Sequence, residues 1–211
     1  MAIHLHDKRI RLRTTLSILG LAAILFVSAG LHAQQSKQTS PPKHCLWLVE
    51  TPLNQAVFLL GSLHVLKSDT YPLAKAINEA YSLSQKEIGY LEPVDFQLDL
   101  LGKMKDQEQN AFLGQTLKDL DVVAQMADDM LKSWEKGDVD NLYAILFKSF
   151  EGYPQIENRL LGRRNIDWVK KIEAMMAEDK TIFIIVGAAH LIGPGSVVAL
   201  LRDKGYKVKQ K

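Results

Sequence analysis

The chain has 211 residues, 47% hydrophobic and 24% charged, with a formal net charge of +2 and one cysteine, Cys45. That length is enough for one domain with a real core, and a lone cysteine excludes an internal disulfide framework. The small basic excess lies in the first residues of the chain, so it gives no electrostatic basis for nucleic-acid binding, which needs clustered Lys and Arg.

The N-terminus begins with the basic run "KRIRLR", Lys8 to Arg13, followed by an apolar run from Leu16 to Gly30 and a small residue, Ala33, at a cleavage-like position. This order predicts a signal peptide over residues 1–33 and export, to the periplasm, with membrane contact only through the signal. The apolar run is shorter than the roughly 20 residues a bilayer span requires. Its removal takes away Lys8, Arg9, Arg11 and Arg13 but only Asp7, leaving a balanced chain of 22 basic and 23 acidic residues. Residues 34–43, "QQSKQTSPPK", are polar and proline-bearing and read as a flexible tether, so residues 44–211 are the predicted single domain. Cys45 reads as a small core residue rather than a reactive thiol.

"CLWLVE" and "AVFLLGSLH", separated by "TPLNQ", predict a β-hairpin. A helix follows over "YPLAKAINEAYSLS", with Leu73, Ile77, Ala80 and Tyr81 on one face. "IGYLEP" predicts a short strand stopped by Pro93, and "VDFQLDLLGKM" and "EQNAFLGQTLKDLDVVAQMADDMLKSWEKG" carry helical periodicity up to Gly137. Asp138 is an N-cap for "VDNLYAILFKSF", and another helix covers much of Ile156 to Glu178, turning Val169, Ile172, Met175 and Met176 inward. "TIFIIVG" is the strongest strand, and its unbroken apolar character predicts a place in the middle of a parallel sheet. Pro194 and Gly205 bracket a helix over "GSVVALLRDKG", and "YKVK" closes the chain as a strand. The expected fold is α/β: a mainly parallel central sheet with an N-terminal hairpin, flanking helices and a helical middle.

Two of these strands end alike, in Gly-x-x-His: Gly61 to His64 and Gly187 to His190. Ligands in open α/β sheets gather at the carboxyl ends of strands, and a glycine there leaves room for a close backbone or ligand approach. If the strands are neighbours, two imidazoles 126 residues apart in sequence converge, and neutral histidine is the commonest protein ligand for a transition metal. Singly, each histidine reads as a satisfied structural residue. The repeated setting is what raises a paired site as an alternative.

"LW", "LLGSLHVLKSDTYPL", "RRN" and "FIIVGAAHLIGPGSVVALLRDKGYKV" resemble the TraB/GumN family, related to the Tiki-type metalloproteases. The resemblance implies an α/β fold with a divalent-metal-dependent hydrolytic site. It places the metal ligands at His64, His190 and Glu92, the close-approach glycines of a cofactor site at Gly61 and Gly187, and catalytic roles at Glu92 and at the Arg164–Asn165 pair. The blander readings are an arginine-bound or backbone-bound carboxylate for Glu92, and a helix-surface salt bridge and polar helical turn for Arg164 and Asn165. The family name also carries a link to exopolysaccharide biosynthesis.

The chain departs from the family pattern at one junction. "NEAYSLSQ" runs directly into "KEIGYLEPVDFQLDLL", so a segment bearing an earlier glutamate is missing between about Gln85 and Lys86, and Glu92 matches the later one. Two functions therefore stand as expectations: a metal-dependent hydrolase acting on a peptide or small molecule, or a non-catalytic periplasmic binding or scaffold protein that keeps the fold. Loss of a strand also predicts an unpaired sheet edge.

Overall fold

Apolar runs rich in β-branched and aromatic residues suit a half-buried pleated surface, and two of them pair here as a hairpin. The computed structural model describes residues 42–51, 56–64, 68–84, 88–120 and 122–211. The expected signal peptide, the expected tether up to residue 41, residues 52–55 and the Gln85–Lys86 junction lie outside these described residues. β1 (Leu46–Glu50) and β2 (Ala56–Ser62) run antiparallel, with Leu46 opposite Leu60 and Glu50 opposite Ala56. β3 (Ile182–Gly187) lies parallel beside β2, and β4 (Val208–Gln210) pairs antiparallel with β1.

The strand order is β3-β2-β1-β4, so the sheet is mixed rather than mainly parallel: only β2 and β3 share a direction. β3 is also at an edge, not in the middle, and Ile185 is 57% exposed. An apolar run encodes a preference for burial, while its place in the sheet depends on partners elsewhere in the chain. The predicted strand over "IGYLEP" does not form; Ile88–Tyr90 has no regular structure. Pro93 supplies no N–H and instead precedes a helix over Val94–Gly102. Side chains from a later helix hold the segment: Lys171 donates to the Leu91 carbonyl and Arg164 grips Glu92.

The helices are α1 (Lys75–Leu83), α2 (Val94–Gly102), α3 (Asp106–Asp119), α4 (Val123–Glu135), α5 (Val139–Lys148), α6 (Pro154–Glu157), α7 (Arg163–Met176) and α8 (Val197–Asp203). Ile77 and Ala80 of α1 are buried as expected, but Tyr81 is half exposed and meets Phe183 of β3 edge-on at 5.9 Å. The periodicity that runs to Gly137 belongs to two helices, α3 and α4. Asp138 caps α5 through the Asn141 N–H at 3.1 Å. A π-helical turn, Asn158–Gly162, feeds α7, which buries Val169, Ile172 and Met176 and leaves Met175 partly covered.

Val49, Val57, Leu59, Leu142, Ile172 and Leu201 lie in one buried core joining the sheet to α5, α7 and α8. Complete burial of such an aliphatic side chain contributes about 1.5–3 kcal/mol. Cys45 belongs to this core, and burial pushes its thiol up to about 12, so it is not a thiolate near neutrality. Residues 42–211 form a compact unit. Among the described residues no helix is long and apolar enough to cross a membrane.

Candidate functional site at the carboxyl ends of two parallel strands

Adjacent parallel strands of matched register bring their carboxyl ends to one place. Gly61 lies opposite Val186 and Ser62 opposite Gly187, so the two Gly-x-x-His segments leave the sheet side by side. The first glycine accounts for the close fit. A Cβ at Gly61 would stand 3.1 Å from the Ala188 Cα and 3.3 Å from its Cβ, so the second motif packs directly on the first. Ser62 Oγ donates to the Val186 carbonyl at 3.2 Å, and the Trp134 indole donates to the Gly61 carbonyl.

His190 ends a short 3-10 turn, Ala188–His190, that follows Gly187. Buried Ala188, Leu191 and Ile192 anchor the turn. Beyond it, Gly193 has φ +76°, and a Cβ there would fall 2.1 Å from the Tyr143 ring. The small residues around His190 thus serve backbone placement as well as close packing.

The imidazole itself is 6% exposed. Its Nδ1 is 2.7 Å from Asn165 Oδ1, and Asn165 Nδ2 donates to the Gly195 carbonyl at 2.9 Å. This amide orientation makes Oδ1 an acceptor, so Nδ1 carries the proton and Nε2 keeps its lone pair. Burial, and then the nearby Arg164 charge, lower the His190 pKa to about 3, which keeps the ring neutral near pH 7.

Trp168 links this imidazole to Arg164. Its ring is 4.2 Å from that of His190 at 38°, and the guanidinium carbon of Arg164 lies 4.8 Å from the indole centroid. Arg164 holds Glu92 by three contacts of 2.8, 3.0 and 3.1 Å and donates to the Leu160 carbonyl at 2.8 Å. Both side chains of the pair are largely buried, so Arg164 does not make the helix-surface salt bridge of the blander reading. Asn165 lies in the same helix and is likewise buried. Trp168 was absent from the candidate residues; its four-residue spacing from Arg164, one helical turn, was the available signal. Its indole N–H is buried with no acceptor among the described residues.

His64, Glu92, Arg164, Trp168, Gly187 and His190 line one cleft of about 800 Å³. His64 is exposed, in contrast to His190. A catalytic zinc site ordinarily has three protein ligands. Here His64 and His190 both line the cleft, while Glu92 is held by Arg164. No group of three or more His, Cys, Asp or Glu residues among those described is arranged to hold an ion. These donors do not fit a three-ligand hydrolytic metal centre.

The model of one protein family, described as the TraB/PrgY/gumN family, matches residues 83–210. The match includes Glu92, Arg164, Asn165, Gly187 and His190 and begins after Gly61 and His64. No curated protein and no solved structure matches the chain.

Proposed function

From a chain that belongs to the TraB/PrgY/gumN family, we propose an exported, periplasmic binding protein that receives a small molecule or peptide in the cleft beside His64 and His190 without hydrolysing it. One observation carries the preference for binding over hydrolysis: Arg164 engages both carboxylate oxygens of Glu92, Nε donating to Oε1 and Nη2 to Oε2. General-base catalysis requires an acceptor within reach of the proton it removes and able to take it. In this arrangement Glu92 anchors the Ile88–Glu92 wall to α7 instead. His190 presents a neutral acceptor, Nε2, to a ligand donor, and Arg164 fixes the cleft wall beside it.

A second reading, a divalent-metal-dependent hydrolase acting on amides or related carbonyls, draws support from the same imidazole. A histidine oriented by a partner at one nitrogen and bearing a lone pair at the other is prepared for ligation. A hydrolytic centre requires a third ligand beyond the two imidazoles, which the described residues do not supply.

The experiment compares the purified protein with His64→Ala/His190→Ala and Glu92→Gln, measuring binding of a peptide and ester panel by calorimetry, turnover of the same panel, and bound transition metal by mass spectrometry. The binding reading expects ligand binding that the double variant loses, with no turnover in the unaltered protein. Stoichiometric metal lost in the double variant, together with turnover abolished by Glu92→Gln, would replace it with the hydrolase reading.

A further inference from the structure

The edge position of β3 bears on what the cleft receives. Along β2, the Gly61 N–H donates to Cys45 of the neighbouring strand segment, so alternation turns the Phe58, Leu60 and Ser62 backbone toward β3. The Val186 carbonyl meets Ser62 Oγ and therefore faces β2. The main-chain groups of Ile182, Ile184 and Val186 are then directed at β2, while those of Phe183, Ile185 and Gly187 face away from it. Among the described residues no strand pairs with that outer edge.

The cleft borders the whole of β3 from Ile182 to Gly187. Its other lining includes Ile88–Glu92 and Gln97, with Ile88 and Tyr90 each 81% exposed. A strand-shaped slot beside six residues is about 20 Å long; at 4.8 Å wide and 10 Å deep it encloses on the order of 950 Å³. The cleft volume, about 800 Å³, is of that size. A groove with these two borders admits one extended chain more readily than the edge of a second folded sheet. Its exposed apolar residues suit alternate side chains of such a chain, and its far end holds His64 and His190.

We infer that the cleft is a strand-addition groove, in which an extended peptide segment joins β3 as a fifth strand and runs to the two histidines. Main-chain hydrogen bonds to Phe183, Ile185 and Gly187 supply affinity, and contacts to Ile88, Tyr90 and Ile185 select side chains. This inference rests on the binding reading above and narrows its ligand to peptide.

A panel of N-acetyl octapeptide amides with alternating apolar and polar residues, and matching dipeptide amides, tests it by calorimetry and hydrogen exchange. Octapeptides should bind about tenfold or more tightly than dipeptides and protect the amides of Phe183, Ile185 and Gly187. Ile185→Pro removes an outward N–H without removing a β2–β3 bond, and should weaken octapeptide binding about tenfold. If that variant fails to fold, octapeptides N-methylated at alternate positions decide on the unaltered protein: one methylation set should lose binding and the other keep it. Equal binding by both sets, or protection of β3 that appears without peptide and rises with protein concentration, would overturn the inference. Binding of small ligands that depends on His64 and His190, with no preference for octapeptides, would overturn peptide addition and leave the binding reading intact. Binding of neither class would overturn both.

Discussion

At the scale of single residues, His190 and Glu92 show how partners decide what a side chain can do. The His190 pKa falls from 6.5 to about 3 on folding, so the unfolded chain binds the extra proton between those values. Its stabilising contribution is complete above about pH 6.5 and is lost as pH falls toward 3, by about 1.4 kcal/mol per pH unit inside that window. Urea unfolding at pH 7.5 and 4.5 should therefore show a smaller acid loss in His190→Gln than in the unaltered protein; equal losses would remove His190 from the acid response. For the buried Arg164–Glu92 pair, Arg164→Met should cost about 3–5 kcal/mol, because it leaves a buried carboxylate without its partner. Arg164→Met/Glu92→Met should cost less than the sum of the single changes, and a denaturation cycle giving additive losses would show that the pair is not coupled. The two histidines were legible from the doubled motif. The Glu92–Arg164 contact was not, because its partners are 72 residues apart and their union depends on where α7 packs.

At the scale of elements, the two Gly-x-x-His motifs look alike in sequence but use their glycines differently. Gly61 admits Ala188 of the neighbouring turn, whereas the nearest atom to a Cβ at Gly187 is His190 Cδ2 at 3.8 Å, an ordinary contact. Gly61→Ala should consequently destabilise by about 1–3 kcal/mol and disturb the His190 ring resonances, while Gly187→Ala should change both much less. Thermal unfolding and imidazole NMR on the two variants check this order, and a reversed order would refute the close-packing account. The hairpin and the main helices followed from periodicity and capping. The strand expected over "IGYLEP" failed because Pro93 starts a helix and α7 side chains hold the preceding loop.

At the scale of the whole molecule, the proposed export predicts a mature N-terminus near Gln34, to be measured as the intact mass of any exported protein; recovery of residues 1–33 on a membrane-bound chain would refute cleavage. The family match and the mixed α/β sheet agree with the resemblance carried by the C-terminal "FIIVGAAHLIGPG" block. Local sequence determined the apolar strands, the helices with their caps and the paired Gly-x-x-His endings, because side-chain periodicity and backbone preference act over a few residues. Tertiary structure alone decided that β3 lies at the edge, that His190 keeps its Nε2 lone pair through Asn165 and Gly195, and that Arg164 takes Glu92. Each of these depends on contacts between distant segments, whose geometry is established only when the helices and sheet pack together.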